Sequence, residues 1–199
     1  MTNFRDISIT ELAGIVAEHL AECGIEVVLV GGLAVEIYTE NLYLTKDIDM
    51  VNTNYQPTAK LHAAMELLGF YKQGRVYVND STAICVEFPS APLSVGDELV
   101  KSTTKVLVNG RHIPILTIQD IVKDRLSAFI HWRDNQSLVQ ATALLIKNQL
   151  SPEKFKAFFD REGGNYALLL KLHRVSAEHQ YQTMKEIEQA LSEILIKQL

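Results

Sequence analysis

The chain has 199 residues, a formal net charge of −5 and a hydrophobic content of 47%, which is enough for one sizeable core or for a small domain with an extension. This acidic balance argues against broad, nonspecific DNA binding. The apolar runs are far shorter than the roughly 20 residues that cross a bilayer, the N-terminus lacks a signal-peptide pattern, and the two cysteines fit a reducing compartment, so we expect a cytoplasmic protein without a membrane partner.

The first part of the chain predicts helices and strands that alternate. Apolar residues spaced three and four apart predict a helix at residues 8–23, and a short β-branched run predicts a buried strand at 26–30. The same reasoning predicts further helices at 33–38 and 58–68 and further strands at 47–51, 75–78, 82–88, 104–108 and 112–116. Asn109 and Gly110 lie between the last two strands and are a strong signal for a two-residue hairpin.

From residue 117 onward the sequence predicts helices alone. Thr117 can cap a helix that runs to about residue 132. Further helices are predicted at 137–148, 152–160, 165–176 and 177–199. We therefore predict an α+β fold, in which residues 1–116 form a small mixed β-sheet core flanked by helices and residues 117–199 form a C-terminal helical bundle.

The last predicted helix carries an apolar stripe. Its members recur at helical spacing and are Met184, Ile187, Leu191, Ile194 and Leu195. Such a stripe packs into the core of its own chain or forms the seam of a homodimer, and the sequence leaves both interpretations open.

A glycine pair, Gly31 and Gly32, ends the buried strand at 26–30 and opens the next helix. Glycine lets the backbone come close to a ligand, and the first turn of a helix offers unpaired N–H groups to a phosphate. The plainer interpretation is a tight turn between a strand and a helix. The pair gains significance because Gly32 lies fifteen residues before Asp47, in the segment Thr45-Lys46-Asp47-Ile48-Asp49.

Asp47 and Asp49 are two residues apart on a predicted strand, so their side chains leave the same face while Ile48 points into the core. Two neighbouring carboxylates repel each other unless a cation lies between them. Mg²⁺ prefers oxygen ligands and often binds through carboxylates together with substrate phosphates. With two such ions, one would activate an attacking hydroxyl and the other would stabilise a leaving pyrophosphate. The alternative is a solvated pair at a strand edge.

Glu87 is the best candidate for a third carboxylate at this site. It shares one face of its predicted strand with Cys85, within the apolar segment Ile84-Cys85-Val86-Glu87-Phe88, and an acid there needs a metal or a basic partner if it is buried. A glutamate that faces solvent at a strand edge is the alternative. Thr45 falls on the face of Asp47 and could hydrogen-bond a carboxylate or a phosphate, or it could be an ordinary β-forming residue.

In chain order these features are a strand, Gly-Gly, a helix, Asp-x-Asp on a second strand and an acid on a later strand. This order resembles the polymerase-β-like nucleotidyltransferase superfamily over about residues 25–90, and the matching residues are Gly31, Gly32, Asp47, Asp49 and Glu87. The resemblance implies a nucleotidyltransferase core that binds an NTP with Mg²⁺ at the three acids. The layout of an α/β part and then a helical part also resembles the minimal nucleotidyltransferases of bacterial type IV toxin and abortive-infection systems.

A second, more local match begins at Asp120 and runs through 120–141. This segment resembles one found in bacterial and archaeal nucleotidyltransferase-like proteins that have no assigned substrate. The chain also departs from the superfamily pattern at two places. Serine is frequent where this chain has Gly32, and arginine is frequent just before Thr-x-Asp-x-Asp, where Tyr43 and Leu44 stand here.

Arg125 lies near the middle of an apolar stripe on the helix that begins after Thr117. The stripe consists of Ile118, Ile121, Val122, Phe129 and Trp132, and the opposite side carries Asp120, Asp124, Ser127 and His131. An arginine on an apolar face needs an anion to offset its desolvation. It could hold the triphosphate of a substrate, pair with a core acid between domains, or extend its stem outward to water. We expect Trp132 to lie in the core.

These features lead to a main hypothesis and a rival from another class. The main hypothesis is an Mg²⁺-dependent nucleotidyltransferase that moves an NMP from an NTP to an acceptor hydroxyl on RNA, protein or a small molecule, with a toxin-like role as one form. The rival is a non-catalytic nucleotide sensor or interaction module with a degenerate fold. Gly32 and the absent arginine favour the rival, and the three acids favour the enzyme.

Overall fold

The strands occupy the first part of the chain and most helices occupy the second, within residues 3–197, which are the residues that this computed structural model describes. The strands are β1 (Val27–Val30), β2 (Asp47–Asn52), β3 (Tyr71–Gln73), β4 (Val76–Asn79), β5 (Thr82–Glu87), β6 (Ser94–Val95), β7 (Glu98–Leu99), β8 (Thr103–Val108) and β9 (Arg111–Leu116). The helices are α1 (Ile9–Glu22), α2 (Gly31–Tyr38), α3 (Thr58–Leu67), α4 (Ile118–Trp132), α5 (Asn135–Lys147), α6 (Lys156–Arg161), α7 (Tyr166–Glu178) and α8 (Met184–Ile196), with a 3₁₀ helix at Pro152–Phe155.

Within the described residues, a seven-stranded mixed sheet runs in the order β3-β4-β5-β2-β1-β9-β8. β2 lies in its centre, antiparallel to β1 and parallel to β5, and β1 is parallel to β9. β4 pairs with β5 in a first antiparallel hairpin, and the predicted hairpin of β8 and β9 forms as the second. Asn109 and Gly110 adopt φ angles of +50° and +80° in the second hairpin, as a type I′ turn requires. The mixed sheet and the helices confirm the predicted α+β fold.

The side chains of β2 alternate between an apolar face and a polar face of the sheet. Ile48 and Met50 are fully buried, whereas Asp47 is exposed and Asp49 is partly exposed. The alternation that the sequence predicts for this strand is therefore confirmed. Its polar face is the one that carries the candidate site.

Backbone contacts divide the chain into two compact units. The described part of the first consists of residues 3–34, 44–94 and 98–117, and that of the second consists of 35–43, 95–97 and 118–197. The seven-stranded sheet belongs to the first unit, and helices α4 to α8 belong to the second. None of the helices in the described part of the chain combines the length and apolar character needed to cross a membrane.

The apolar stripe of the last helix is used within its own chain. Ile187, Leu191 and Ile194 are buried, and α8 packs against α5 and α7, so the core interpretation of this stripe is the one that the structure supports. The helix predicted at 177–199 is divided, because α7 ends at Glu178 and Thr183 begins α8 with a capping box. Residues 198 and 199 of that prediction lie outside the described residues.

Candidate functional site

Parallel pairing of β2 and β5 brings the predicted acids to one face of the sheet. Asp47 is in register with Cys85, and Asp49 is in register with Glu87. Residues in register on neighbouring strands point to the same side, and their strands lie about 4.8 Å apart. Asp47, Asp49 and Glu87 therefore form adjacent positions on the polar face, although their roles stay predictions.

The first glycine of the pair contacts this face directly. β1 is antiparallel to β2, with Val30 opposite Asp49, so Gly31 follows at the level of that carboxylate. Gly31 has a φ of +66°, and a Cβ at this position would lie 3.1 Å from Cγ and 3.2 Å from Cβ of Asp49, and closer still to its Oδ2. Glycine is thus required both by the backbone angle and by the lack of room.

Helix α2 begins at Gly31 itself, so its first turn lies beside Asp49. The first N–H groups of an α-helix have no partner within the helix, and they carry the positive end of the helix dipole. A phosphate that binds there would lie next to the carboxylates. Gly32 is the second residue of the same turn, which places both predicted glycines at this helix start.

Asp47 is positioned by two neighbours. Its backbone N–H donates to Oγ1 of Thr45 at 3.3 Å, and its Oδ1 accepts a hydrogen bond from Sγ of Cys85 at 2.8 Å. Burial, and then the hydrogen bond to Asp47, raise the pKa of the Cys85 thiol to about 11, so the thiol is protonated and acts as a donor at neutral pH. Sequence reasoning missed Cys85 as a site residue, although its position two residues before Glu87 is the signal that places it on the same face.

Glu87 has a basic neighbour that the sequence did not identify. Nε of Arg75 lies 3.7 Å from Oε1 of Glu87, and the arginine side chain is 89% exposed. The contact follows from the β4–β5 hairpin, in which Val76 is opposite Glu87. Such an exposed pair is weak, so Glu87 can turn to another cationic partner at small cost.

The donor set fits a hard divalent cation whose shell is completed by a substrate. Asp47 and Asp49 supply carboxylate oxygens from one face of the sheet, and Glu87 lies opposite Asp49 on the neighbouring strand. In the part of the chain that the structure describes, no group of three or more histidine, cysteine or acidic side chains is arranged to hold a metal by itself. Mg²⁺ commonly binds through one or two carboxylates plus phosphate oxygens and water, which matches an open, carboxylate-based site.

Arg125 belongs to the second unit and already has anionic and polar partners there. Its side chain is 18% exposed, Nε donates to Oδ2 of Asp124 at 2.9 Å, Nη2 also donates to that oxygen, and Nη1 donates to Oε1 of Gln140 at 3.4 Å. The sequence placed Asp124 on the opposite side of the helix, but a long arginine side chain reaches its chain neighbour. A phosphate-binding role for Arg125 stays a prediction. The expectation of a buried Trp132 is wrong, because this residue is 81% exposed.

No protein-family model matches this chain, and no curated protein matches its sequence. Solved structures do match. A solution structure of ANT(2″)-Ia, an antibiotic-resistance factor with substrate-regulated conformation dynamics, has a TM-score of 0.54 at 16% identity and covers 83% of this chain and 97% of its own. A crystal structure of ANT(2″)-Ia in complex with adenylyl-2″-tobramycin has a TM-score of 0.53 at 13% identity and covers 76% and 94%.

A third similar structure is that of an antigenic nucleotidyltransferase-like protein from Paracoccidioides brasiliensis, with a TM-score of 0.52 at 13% identity, covering 67% of this chain and 73% of its own. Together these matches show that the chain has a nucleotidyltransferase fold, as the resemblance implied. The likeness is one of fold, and it does not bear on the toxin-like subtype.

Proposed function

We propose that this protein is a divalent-metal-dependent nucleotidyltransferase that moves an NMP from an NTP to an acceptor hydroxyl. The observation that carries the proposal is the contact of the Asp49 carboxylate with Gly31 at the start of α2. A triphosphate that binds the helix start would have its phosphate oxygens beside Asp47 and Asp49, and these two carboxylates would hold a divalent cation there. The nucleotidyltransferase fold supports the same assignment.

The reaction would form a bond between the acceptor oxygen and the α-phosphorus and break the bond to pyrophosphate. Mg²⁺ at Asp47 and Asp49, with two ions expected from the sequence, would supply charge neutralisation at the reacting phosphate. The first-turn N–H groups of α2 would bind the leaving phosphates, and the missing side chain at Gly31 lets them approach. Glu87 lies on the neighbouring strand β5, opposite Asp49. One of its carboxylate oxygens would accept the proton of the acceptor hydroxyl or complete the metal shell.

Two residues would position the reacting groups without touching them. Thr45 binds the backbone of Asp47, and Cys85 donates to the Asp47 carboxylate. The contact with Thr45 fixes the backbone of Asp47, and the contact with Cys85 restricts its side chain through Oδ1, so that Oδ2 would be the oxygen offered to a cation. Arg125 is proposed as a further phosphate-binding residue. To bind a phosphate, its guanidinium would have to give up its hydrogen bonds to Asp124 and Gln140.

Asp47→Asn and Asp49→Asn provide the direct test, because each keeps the side-chain shape and removes the charge. We expect each variant to lose most Mg²⁺-dependent ATP binding, measured by isothermal titration calorimetry with and without EDTA. Asp80→Asn is a matched control, because Asp80 is an exposed turn residue whose carboxylate accepts from Tyr71. Unchanged ATP affinity in the Asp47 and Asp49 variants, with normal circular dichroism, would remove the basis of the site assignment.

The acceptor is open to direct search. One similar protein was solved in complex with adenylyl-2″-tobramycin, which makes ATP the first nucleotide to test and tobramycin one of the acceptors. RNA and protein acceptors can be tested with α-labelled ATP and cell extract. A toxin-like role would appear as growth arrest on expression that disappears with Asp47→Asn, and growth unaffected by an active wild-type protein would exclude that role.

A non-catalytic nucleotide sensor is the second candidate function. It is favoured by two departures from the superfamily pattern, which are Gly32 where serine is frequent and Tyr43 and Leu44 where arginine is frequent. ATP binding that depends on Asp47 and Asp49, without release of pyrophosphate under any acceptor condition, would identify the sensor. Pyrophosphate release that Glu87→Gln abolishes would identify the enzyme.

A further inference from the structure

The connection between β5 and β8, residues 88–102 and hereafter the strap, crosses the sheet. β2, β1 and β9 lie between β5 and β8 in the sheet order, so the chain has to pass three strands to reach Thr103. The short strands β6 and β7 form a hairpin within the strap, and the N–H of Val100 donates to the carbonyl of Leu93 at 3.0 Å. The strap is therefore an ordered element and not an open loop.

A cavity of about 350 Å³ lies between the strap and the sheet. Its sheet side includes Val28 of β1 and Thr53 just after β2, and its strap side includes Pro92, Leu93 and Leu99. Val28 faces the same side as Val30 because strand side chains alternate, and Val30 is paired with Asp49. The cavity thus borders the carboxylate face, one pair of residues, or about 7 Å, along β1 from Asp49.

The position of this cavity fits the geometry of nucleotidyl transfer. In an in-line displacement the attacking and leaving oxygens lie on opposite sides of the phosphorus. The proposed leaving pyrophosphate lies at the start of α2, beyond the C-terminal end of β1. An acceptor would approach from the side of the phosphorus that faces away from the start of α2, and Val28 and the cavity lie toward the other end of β1.

The lining indicates the chemistry of the acceptor. Among the described residues that line the cavity, hydroxyl groups come from Thr53, Tyr55, Ser102 and Thr103, and Lys101 is the one charged side chain. Tyr55 is 68% exposed at a φ of +54°, so its ring is presented to solvent by an unusual backbone conformation. A phenol ring offers a flat surface for a sugar ring, hydroxyls pair with hydroxyls, and an ammonium group attracts an anion.

Resting on the proposed function, we propose that the strap cavity binds the acceptor, and that this acceptor is a small hydroxylated ring with an anionic substituent, of the sugar-phosphate class. Lys101 and Tyr55 determine this specificity by contacting the anion and the ring. A polycationic acceptor is disfavoured, because the described lining residues include a lysine and no acid. The limited volume suits a single ring.

The test uses the full chain with glucose 6-phosphate and ribose 5-phosphate as probes, observed by ligand-detected NMR in the absence of nucleotide. Glucose, tobramycin and a short oligoribonucleotide are the comparison ligands. We expect Lys101→Gln to weaken sugar-phosphate binding by about tenfold or more, as for the loss of a charge-assisted hydrogen bond, and Tyr55→Ala to weaken glucose and both sugar phosphates. Lys105→Gln is the matched control, because Lys105 is an exposed lysine of β8 outside the cavity, and it should leave binding unchanged.

Absence of binding by both sugar phosphates, or binding that neither Lys101→Gln nor Tyr55→Ala weakens, would overturn the proposal. So would preferential binding of tobramycin or the oligoribonucleotide at Lys101 and Tyr55. Incubation with ATP and Mg²⁺ separates this proposal from the proposed function. AMP transfer to another acceptor without sugar-phosphate binding would reject the cavity proposal alone, whereas sugar-phosphate binding without AMP transfer would reject the acceptor role together with the proposed function.

Discussion

Gly31→Ala would perturb the contact between the α2 turn and Asp49, and its cost can be worked out from the structure. A residue with a Cβ pays about 1–2 kcal/mol for a left-handed conformation, and Gly31 has a φ of +66°. The new Cβ would lie 3.1 Å from Cγ of Asp49, so strand β2 or the carboxylate has to move, and overpacking of this kind costs about 1–3 kcal/mol. We therefore expect the free energy of unfolding to fall by about 2–5 kcal/mol.

Gly110→Ala separates the two contributions. Gly110 has a φ of +80°, but no heavy atom lies within 4 Å of a Cβ placed there, so this variant should lose only the backbone contribution of about 1–2 kcal/mol. Urea unfolding followed by circular dichroism measures both variants. In an Asp49→Ala background, which removes Cγ and Oδ2, Gly31→Ala should cost at least about 1 kcal/mol less than in the wild type. The reasoning would be refuted if Gly31→Ala and Gly110→Ala lowered the free energy of unfolding equally and if the Asp49→Ala background did not change the effect of Gly31→Ala.

Three further predictions concern other parts of the chain. Thr183→Ala removes the capping box with Glu186 and should lower the free energy of unfolding by about 0.5–2 kcal/mol in calorimetry. Burial lowers the pKa of His173 below its usual 6.5, so as the pH falls this histidine is protonated at a higher pH in the unfolded chain than in the folded one. The contribution of neutral His173 to the free energy of unfolding is therefore complete above pH 6.5 and declines as the pH falls below it. Urea titrations from about pH 7 to about pH 5 should therefore show a shallower loss in His173→Gln than in the wild type. Arg75→Ala removes an exposed pair with Glu87 and should change stability by less than about 1 kcal/mol in the same assay.

Features that depend on neighbouring residues in the chain were predictable from the sequence. Alternation along β2 placed Ile48 in the core and Asp47 on the polar face, because side chains of a strand point alternately to its two sides. The Asn109-Gly110 pair predicted the β8–β9 hairpin, because both residues tolerate the positive φ angles of its turn. These predictions needed no knowledge of the rest of the chain.

Features set by distant pairing or by very short elements were not predictable. The hydrogen bond from Cys85 to Asp47 joins residues 38 positions apart, and it depends on a parallel register that no local pattern specifies. Strands β6 and β7 have two residues each, too few for any periodicity to appear. The break between α7 and α8 did have a local signal, because Thr183 and Glu186 form a capping-box pattern, and the helix predicted at 177–199 did not take it into account.

The parallel pairing of β2 and β5 also determines where insertions and deletions can be tolerated in homologous chains. Between these strands the chain leaves the centre of the sheet, forms α3 and returns through β3 and β4. A change of length in the Asp80–Ser81 turn leaves the alignment within β5 intact. One residue inserted between Thr82 and Glu87 would instead turn Glu87 to the face that Val86 now occupies. Insertions and deletions should therefore occur in the segment between β2 and β5 that contains α3, β3 and β4, and they should be absent from the six residues of β5.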